Sequence, residues 1–155
     1  MTQDPSEDYK TLQVNNPGNL IIGIATAQWN AHITHKLLQG AAKVLTYHNI
    51  QFVEVEVPGS FELPLAAQKL AQKENINAII CLGCVIQGDT KHFDYVCNAA
   101  AHGILEVGLK YNKPVIFGLL TTNNEQQALD RAGGILGNKG IEAVITVLKM
   151  LDISR

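Results

Sequence analysis

Hydrophobic and polar positions along the chain alternate between two kinds of segment. Short apolar runs bounded by Gly, Pro or Asn predict four β-strands, at Leu20–Ala27, Gln51–Val57, Ala78–Cys84 and Val115–Leu120. Three of these runs are apolar almost throughout, which is typical of parallel strands covered on both faces. In the second run Val53, Val55 and Val57 alternate with Glu54 and Glu56, so we expect this strand at a partly solvated edge of the sheet.

Amphipathic helical patterns lie between and after these strands. The predicted helices cover Ala31–His48, Phe61–Glu74, Tyr95–Tyr111, Glu125–Ala132 and a long last helix marked by Ile141, Val144, Ile145, Leu148 and Leu151. Ser60 is predicted as an N-cap, and Pro64 fits only near the first turn of the same helix. This order of elements predicts an α/β fold, a three-layer sandwich in which a four-stranded parallel sheet carries helices on both faces.

Length and composition favour a single domain. The chain has 155 residues, of which 46% are hydrophobic and 17% charged, with a formal net charge of -2. There is no basic stripe for nucleic acid, no basic amphipathic helix for a membrane surface and no apolar run long enough to span a bilayer. Residues 1–13 are predicted to form a loose polar arm without the pattern of a signal peptide, and residues 14–155 the domain. We expect a cytoplasmic protein.

The cysteines and paired histidines do not predict a metal site. Three cysteines are an odd number, so a full disulfide framework is excluded. Cys81 and Cys84 lie three apart in a predicted strand, where they point to opposite faces, and we expect both to be buried as small apolar residues. His32 and His35 lie three apart on a helix, without a nearby carboxylate or cysteine in sequence to complete a metal site.

Polar and aromatic residues collect near the ends of the predicted strands. Trp29 follows the first strand, Ser60 and Glu62 follow the second, the stretch GCVIQGDTKH (Gly83–His92) covers the end of the third, and Phe117 precedes TTNN after the fourth. Ligands of open parallel α/β sheets bind outside the carboxyl ends of the strands. The sequence therefore predicts a binding site at this one rim.

The stretch Gly83–His92 resembles a phosphate-binding P-loop in its glycines and its hydroxyl residue, but Asp89 stands where a P-loop has lysine. This argues against a nucleoside triphosphate and leaves open either an ordinary turn or one phosphate held by backbone N–H groups and Thr90. The missing cation would then come from Arg131 or Lys139, including from a neighbouring subunit.

Three rim residues have two interpretations each. Trp29 fits a packing residue or a flat platform for an aromatic ring. Glu62 fits a helix start, where the dipole favours an anion, or an acceptor for ligand hydroxyls. His92 fits a helix-start hydrogen bond or a proton-transfer residue near neutral pH. Together the rim suits a small anionic substrate, a flat polar heterocycle and one proton-transfer group.

Four motifs, in this order, resemble the 6,7-dimethyl-8-ribityllumazine synthase family: VPGSFELP (57–64), GCVIQGDTKHFDYV (83–96), FGLLTTNNEQQALDRAG (117–133) and GNKGIEA (137–143). The resemblance covers about Leu20 to the C-terminus. It implies a flavodoxin-like sheet and a condensation of 5-amino-6-(D-ribitylamino)uracil with 3,4-dihydroxy-2-butanone 4-phosphate, without metal or organic cofactor. It also implies pentamers or icosahedral shells of pentamers, with sites shared between adjacent subunits, and riboflavin synthase as a candidate partner.

The resemblance also implies roles for individual residues. For the ribitylaminouracil, the resemblance implies that Trp29 stacks on the pyrimidine and that Ser60, Phe61 and Glu62 lie along the ribityl chain. It also implies that the backbone of Cys84, Val85 and Ile86 contacts the pyrimidine edge. Phe117 is implied to come from the adjacent subunit. Those implied for the butanone phosphate are Asp89, Thr90 and, from the adjacent subunit, Arg131, while Lys139 is the other candidate cation on charge alone. His92 is the implied proton donor and acceptor.

The chain departs from the family pattern at three places. Trp29 replaces a common phenylalanine, Gln87 replaces a frequent arginine, and the apolar Ile135 and Leu136 leave pentamer or shell open.

The competing functions are a non-catalytic flavin- or nucleotide-binding module, which gives His92 and Arg131 no task, and an archaeal-type riboflavin synthase acting on two lumazine molecules. A P-loop phosphotransferase fits least, because Asp89 replaces its lysine.

Overall fold

The structure is a computed structural model that describes residues 8–153. Its strands are β1 (Ile21–Ala27), β2 (Gln51–Val57), β3 (Ala78–Ile86), β4 (Val115–Thr122), β5 (Ala132–Gly134) and β6 (Gly137–Asn138). Its helices are α1 (Ala31–Tyr47), α2 (Leu63–Ala71), α3 (His92–Tyr111), α4 (Glu125–Asp130) and α5 (Lys139–Ile153). Every predicted strand and helix is present, with ends shifted by a few residues, whereas the short β5–β6 hairpin was not predicted.

The four long strands form one parallel sheet in the order β2-β1-β3-β4. The predicted flavodoxin-like three-layer fold is confirmed, and so is the edge position of the Glu-containing strand β2. Helices α1 and α5 cover one face and α2 and α3 cover the other. No helix within residues 8–153 is both long enough and apolar enough to cross a membrane.

Alternation along the central strands feeds two hydrophobic cores. In β1, Ile22 and Ile24 pack beneath α1 and α5, whereas Ala25 and Ala27 face α2 and α3. Ala residues on the second face let α2 approach the sheet closely, and Cys81 fills the neighbouring position on β3. Burial of these two apolar faces is the main stabilising contribution that the fold offers.

The start of α2 differs from its prediction. A 3₁₀ turn over Ser60–Glu62 precedes the helix, and Gly59 stands before that turn. The Gly59 backbone N–H donates to Oε2 of Glu62 at 3.1 Å, so the carboxylate makes the capping contact. The prediction of Ser60 as N-cap is therefore wrong, because Ser60 lies inside the turn with its side chain buried.

Part of the predicted N-terminal arm packs against the domain. Asp8–Lys10 form a 3₁₀ turn, and Tyr9 is only 2% exposed. The Tyr9 and Tyr47 rings pack edge-on with their centroids 5.4 Å apart. The backbone carbonyl oxygen of Tyr9 lies 2.7 Å from Nε2 of His48, which follows α1. Residues 1–7 lie outside the described residues, so the loose arm and its boundary at residue 13 remain predictions.

Candidate functional site

The carboxyl ends of β1, β2 and β3 bring the first group of predicted residues together. After β1, the backbone N–H groups of Gln28 and Trp29 donate to the carbonyls of Val57 and Pro58, at 2.8 and 3.0 Å. These two bonds tie the segment after β1 to the segment after β2. The predicted meeting of Trp29 with the Ser60–Glu62 turn at one rim is thus confirmed for a single chain.

The Trp29 indole lies against the backbone of Gly59 with its other side open. A Cβ added at Gly59 would fall 2.5 Å from Cε3 of the indole, so only glycine leaves room for the ring. Trp29 is 64% exposed, and Phe61, two residues after Gly59, is exposed to a similar extent. Trp29 is therefore not a core residue, and its exposed ring fits either an aromatic platform or a packing residue at a subunit interface.

Ser60 brings the second loop onto β3. Its buried Oγ would lie 2.5 Å from a Cβ at Gly83, so the missing side chain at Gly83 allows the close approach. Val85 follows on the same face of β3, since alternate residues share a face. The backbone around Cys84 and Val85 therefore lies next to the Ser60 turn.

Asn30 is a rim residue that the sequence interpretation missed. It adopts a left-handed conformation with φ 61° at the start of α1. Its Nδ2 donates to the carbonyl oxygen of Cys84 at 2.9 Å and so fixes the end of β3 beside Trp29. An asparagine directly after a strand-end aromatic and directly before a helix is a signal for this conformation, because Asn tolerates it better than other side chains.

The two strand cysteines are buried, as predicted. Burial raises the pKa of the Cys81 thiol from 9.0 to about 12. Burial, and secondarily the Glu125 carboxylate, raises the pKa of the Cys84 thiol to about 11. Since a thiolate is the nucleophilic form of cysteine, neither side chain is a nucleophile near neutral pH.

The loop after β3 forms a turn that leads into the longest helix. The Gln87 backbone N–H donates to the Thr122 carbonyl at 2.8 Å, which joins the ends of β3 and β4. Thr90 Oγ1 accepts a hydrogen bond from the His92 N–H at 3.3 Å, and α3 begins at His92. Asp89, Thr90 and His92 are exposed, and within residues 8–153 the His92 ring has no hydrogen-bond or ion-pair partner. Exposed N–H groups at this helix start suit an anion.

A second group of predicted residues lies at the other edge of the sheet. Arg131 and Lys139 line a cleft of about 400 Å³ beside β4, together with Leu136 and Glu142. Arg131 is fixed at both ends, because its Nη1 donates to the Gln127 carbonyl at 2.9 Å and its own carbonyl accepts from the Lys139 N–H at 2.9 Å. The cleft therefore combines two cations with one carboxylate.

Phe117 does not reach the rim of its own chain. It pairs in register with Cys81 and lies five residues before the end of β4. At about 3.3 Å per residue this is on the order of 16 Å from the rim. Its predicted place in a one-chain rim cluster is wrong, because Phe117 lies in the middle of the sheet opposite Cys81 and β4 continues two residues beyond the predicted end.

One chain thus carries two separate halves. Trp29 and Phe61 follow β1 and β2, whereas Phe117, Arg131 and Lys139 belong to β4 or border it, at the opposite edge of the sheet. The first half offers an aromatic platform, backbone hydrogen-bonding groups and a free imidazole. The second offers cations for an anion. Within residues 8–153 no group of three or more His, Cys, Asp or Glu side chains could hold a metal ion.

Comparison with known proteins agrees with the motifs. The profile of the family described as "6,7-dimethyl-8-ribityllumazine synthase" matches residues 19–155. A protein of that name from Cytophaga hutchinsonii is 56% identical over 142 residues, covering 90% of this chain and 89% of its own. A protein of the same name from Parabacteroides distasonis is 49% identical, covering 95% of this chain and 94% of its own. Another from Bacteroides fragilis is 50% identical, covering 84% of this chain and 93% of its own.

Proposed function

The chain belongs to the 6,7-dimethyl-8-ribityllumazine synthase family, and from this premise we propose which of its residues bind and convert the two substrates. It is a transferase that condenses 5-amino-6-(D-ribitylamino)uracil with 3,4-dihydroxy-2-butanone 4-phosphate, releasing phosphate and water, in the penultimate step of riboflavin biosynthesis. The binding-module and archaeal riboflavin-synthase alternatives are not favoured by these relatives.

The ribitylaminouracil binds on the rim of β1, β2 and β3 in this proposal. The single observation that carries it is the Trp29 indole, held on Gly59 with one face open. The pyrimidine stacks on that face, because aromatic rings favour offset stacking. Backbone groups of Cys84, Val85 and Ile86 pair with the pyrimidine edge, which Asn30 keeps in place through the Cys84 carbonyl. Ser60, Phe61 and Glu62 border the ribityl chain.

The butanone phosphate binds at the turn before α3. Thr90 and the free backbone N–H groups of this turn hold the phosphate at the helix start, with Asp89 beside them. Gln87 supplies no charge there, so cations must come from elsewhere. We assign that role to Arg131 and Lys139 of the adjacent subunit, because in their own chain they face the opposite edge of the sheet.

The family implies an oligomeric assembly, and the two half-sites suit a ring in which one subunit's rim meets the next subunit's β4 edge. A head-to-tail contact of this kind also brings Phe117 to the neighbour's pyrimidine. A pentamer, or a shell of pentamers in which the exposed Ile135 takes part, is the proposed assembly. Riboflavin synthase is a proposed partner, and a cytoplasmic location is proposed because free cysteines persist in reducing compartments.

The chemistry needs orientation and one proton carrier. The pyrimidine amine attacks the ketone to give a Schiff base, phosphate leaves, and the second nitrogen closes the ring. Holding both substrates in position supplies most of the rate. The His92 imidazole has no partner among residues 8–153 and follows the phosphate turn, so it can move protons between these steps and contributes a further factor of about 10²–10⁴. No metal or organic cofactor enters the proposal.

Turnover tests the activity and the cofactor requirement together. The purified chain is mixed with both substrates in EDTA, and lumazine absorbance and fluorescence are followed against the uncatalysed rate. We expect acceleration. A folded oligomer without acceleration, especially one that retains tightly bound flavin, would support the binding module instead.

Complementation between variants tests the shared site. His92→Ala and Arg131→Ala oligomers, each weak at low butanone phosphate, are unfolded and refolded together. In randomly mixed rings about one quarter of the interfaces then carry both native residues, and activity rises above that of either parent. If both residues served the same chain's site, mixing would restore nothing.

A further inference from the structure

Asn138 is the polar residue at the junction of the β5–β6 hairpin with α5. It is only 9% exposed, although asparagine is usually a surface residue. It directly precedes Lys139, the first residue of α5, and pairs with Ala132 across the hairpin. It therefore lies between the two cations of the β4 cleft and α1.

Each polar atom of the Asn138 side chain is hydrogen-bonded. Oδ1 accepts from the backbone N–H groups of Gly140 and Ile141 at 2.8 and 3.3 Å, which caps α5. Nδ2 donates to the Lys36 carbonyl at 3.0 Å, a backbone group inside α1. One side chain thus both starts α5 and attaches it to α1.

Two glycines leave the space that this arrangement needs. A Cβ at Gly40 would lie 2.5 Å from Oδ1 of Asn138, and a Cβ at Gly140 would lie 1.9 Å from the Leu37 carbonyl oxygen. The side chain is therefore held between two helices that approach closely. An asparagine fixed in this way has one available orientation.

The fixed junction continues directly into the cleft. The Lys139 N–H donates to the Arg131 carbonyl, so both cations are attached to the backbone that Asn138 anchors. Both side chains line the cleft beside β4. A rotation at the start of α5 would move the Lys139 side chain relative to Arg131, whose guanidinium is held separately by the Gln127 carbonyl.

We propose that Asn138 is a positioning residue for phosphate binding: it clamps the hairpin to α1 so that Arg131 and Lys139 present their charges together. This rests on the proposed role of the two cations. Asn138 contacts no substrate, and its effect is on where the cations lie.

The test compares Asn138→Ser with Lys139→Ala and Lys43→Ala in the intact oligomer. Serine retains a cap for α5 but is too short to reach Lys36, so folding is preserved while the clamp is lost. We expect the KM for the butanone phosphate to rise about tenfold, below the ~100-fold that a 1 Å misplacement can cost. The KM for the ribitylaminouracil should stay unchanged. Lys43→Ala removes a cation on the α1 side of the hairpin and should change neither constant.

A second variant approaches the same contact from the other side. Gly40→Ala forces the Asn138 side chain out of its position without altering its chemistry. We expect the same selective rise in the KM for the butanone phosphate. Inorganic phosphate as a competitive inhibitor should weaken in parallel in Asn138→Ser, which a purely structural role would not produce.

The outcomes separate this inference from the proposed function. If Lys139→Ala raises the KM for the phosphate substrate and folded Asn138→Ser does not, the positioning role is overturned and the cation role stands. A uniform loss of kcat with both KM values unchanged also overturns it. If Lys139→Ala and Arg131→Ala both leave that KM unchanged in an active enzyme, the cation assignment fails and this inference fails with it.

Discussion

The indole of Trp29 lies on the backbone of Gly59, with Cε3 and Cζ3 only 2.5 and 2.6 Å from where a Cβ at position 59 would stand. The strand-end backbone thus acts as a support that orients a largely exposed ring. The Gly59 φ of -139° is accessible to any residue, so glycine is needed there for space alone.

Gly59→Ala should therefore displace the Trp29 ring without straining the backbone. We expect the KM for the ribitylaminouracil to rise roughly 2- to 10-fold, the equivalent of the ~0.5–1.5 kcal/mol of an aromatic pair. Quenching of the single tryptophan's fluorescence by this substrate measures the same loss directly. Gly18→Ala, where a Cβ has open space, is the control. Unchanged quenching would show that Trp29 is not the platform.

His92→Ala should slow turnover without abolishing it. Loss of proton transfer removes a factor of about 10²–10⁴ from kcat, while substrate orientation remains. Steady-state kinetics on the intact oligomer measures this, and His102→Ala, on an exposed part of the same helix, should leave kcat unchanged. Complete inactivity of a correctly assembled His92→Ala protein would contradict a role limited to proton transfer.

Arg131→Ala should mainly weaken the butanone phosphate. A bidentate guanidinium contact to phosphate is lost, so the KM for this substrate rises while that for the ribitylaminouracil changes little. Arg131→Lys retains the charge without the planar pair of donors and should lie in between. The assignment does not survive equal Michaelis constants in wild type and Arg131→Ala.

The buried thiols predict a loss of stability in alkali. Above pH 9 the unfolded chain releases the Cys81 proton, whereas the folded chain retains it to about pH 12. The free energy of unfolding therefore falls with rising pH across this window, by up to about 1.4 kcal/mol per pH unit for this thiol, and the contribution is fully present below pH 9.

Denaturant unfolding of wild type and Cys81→Ala between pH 8 and pH 11 isolates this contribution from other groups. The difference in unfolding free energy should shrink as the pH rises, with Cys97→Ala, at a half-buried thiol, for comparison. Two profiles that stay parallel would mean that the Cys81 thiol ionises in the folded protein.

Gly140→Ala should disrupt the contact of α5 with α1. The new Cβ would lie 1.9 Å from a backbone oxygen of Leu37, which cannot move aside as a side chain can. We expect a loss of at least about 3 kcal/mol of unfolding free energy, at the upper end for overpacking. Chemical denaturation measures it, with Gly18→Ala as the tolerated change. A loss below about 1 kcal/mol would mean that the helices separate easily.

The sequence predicts what depends on periodicity. The apolar runs predict the four strands and their parallel arrangement. The rule that ligands bind at strand ends predicts the rim near Trp29 and Ser60. Contacts between segments distant in sequence do not follow from periodicity. The bonds of Asn30 to Cys84 and of Asn138 to Lys36 each depend on tertiary packing, and no local pattern encodes the partner.

Short elements were also outside the reach of the sequence. The β5–β6 hairpin has too few residues to show an alternation, and two of its glycines, Gly133 and Gly137, have positive φ. Strand ends depend on pairing with the neighbour, so β4 continues to Thr122 because β3 continues to Ile86. The rim is therefore farther from Phe117 than the predicted strand end at Leu120 indicates.

Because the rim and the Arg131 cleft lie at opposite edges of the chain, the number of complete sites depends on how the chains assemble. If each complete site needs two neighbouring chains, an open row of subunits always holds one site fewer than it has chains, and a lone chain holds none. Only a closed ring gives every chain a full site. Catalytic output per chain would then depend on protein concentration, and loss of ring closure would lower activity even where every residue is native.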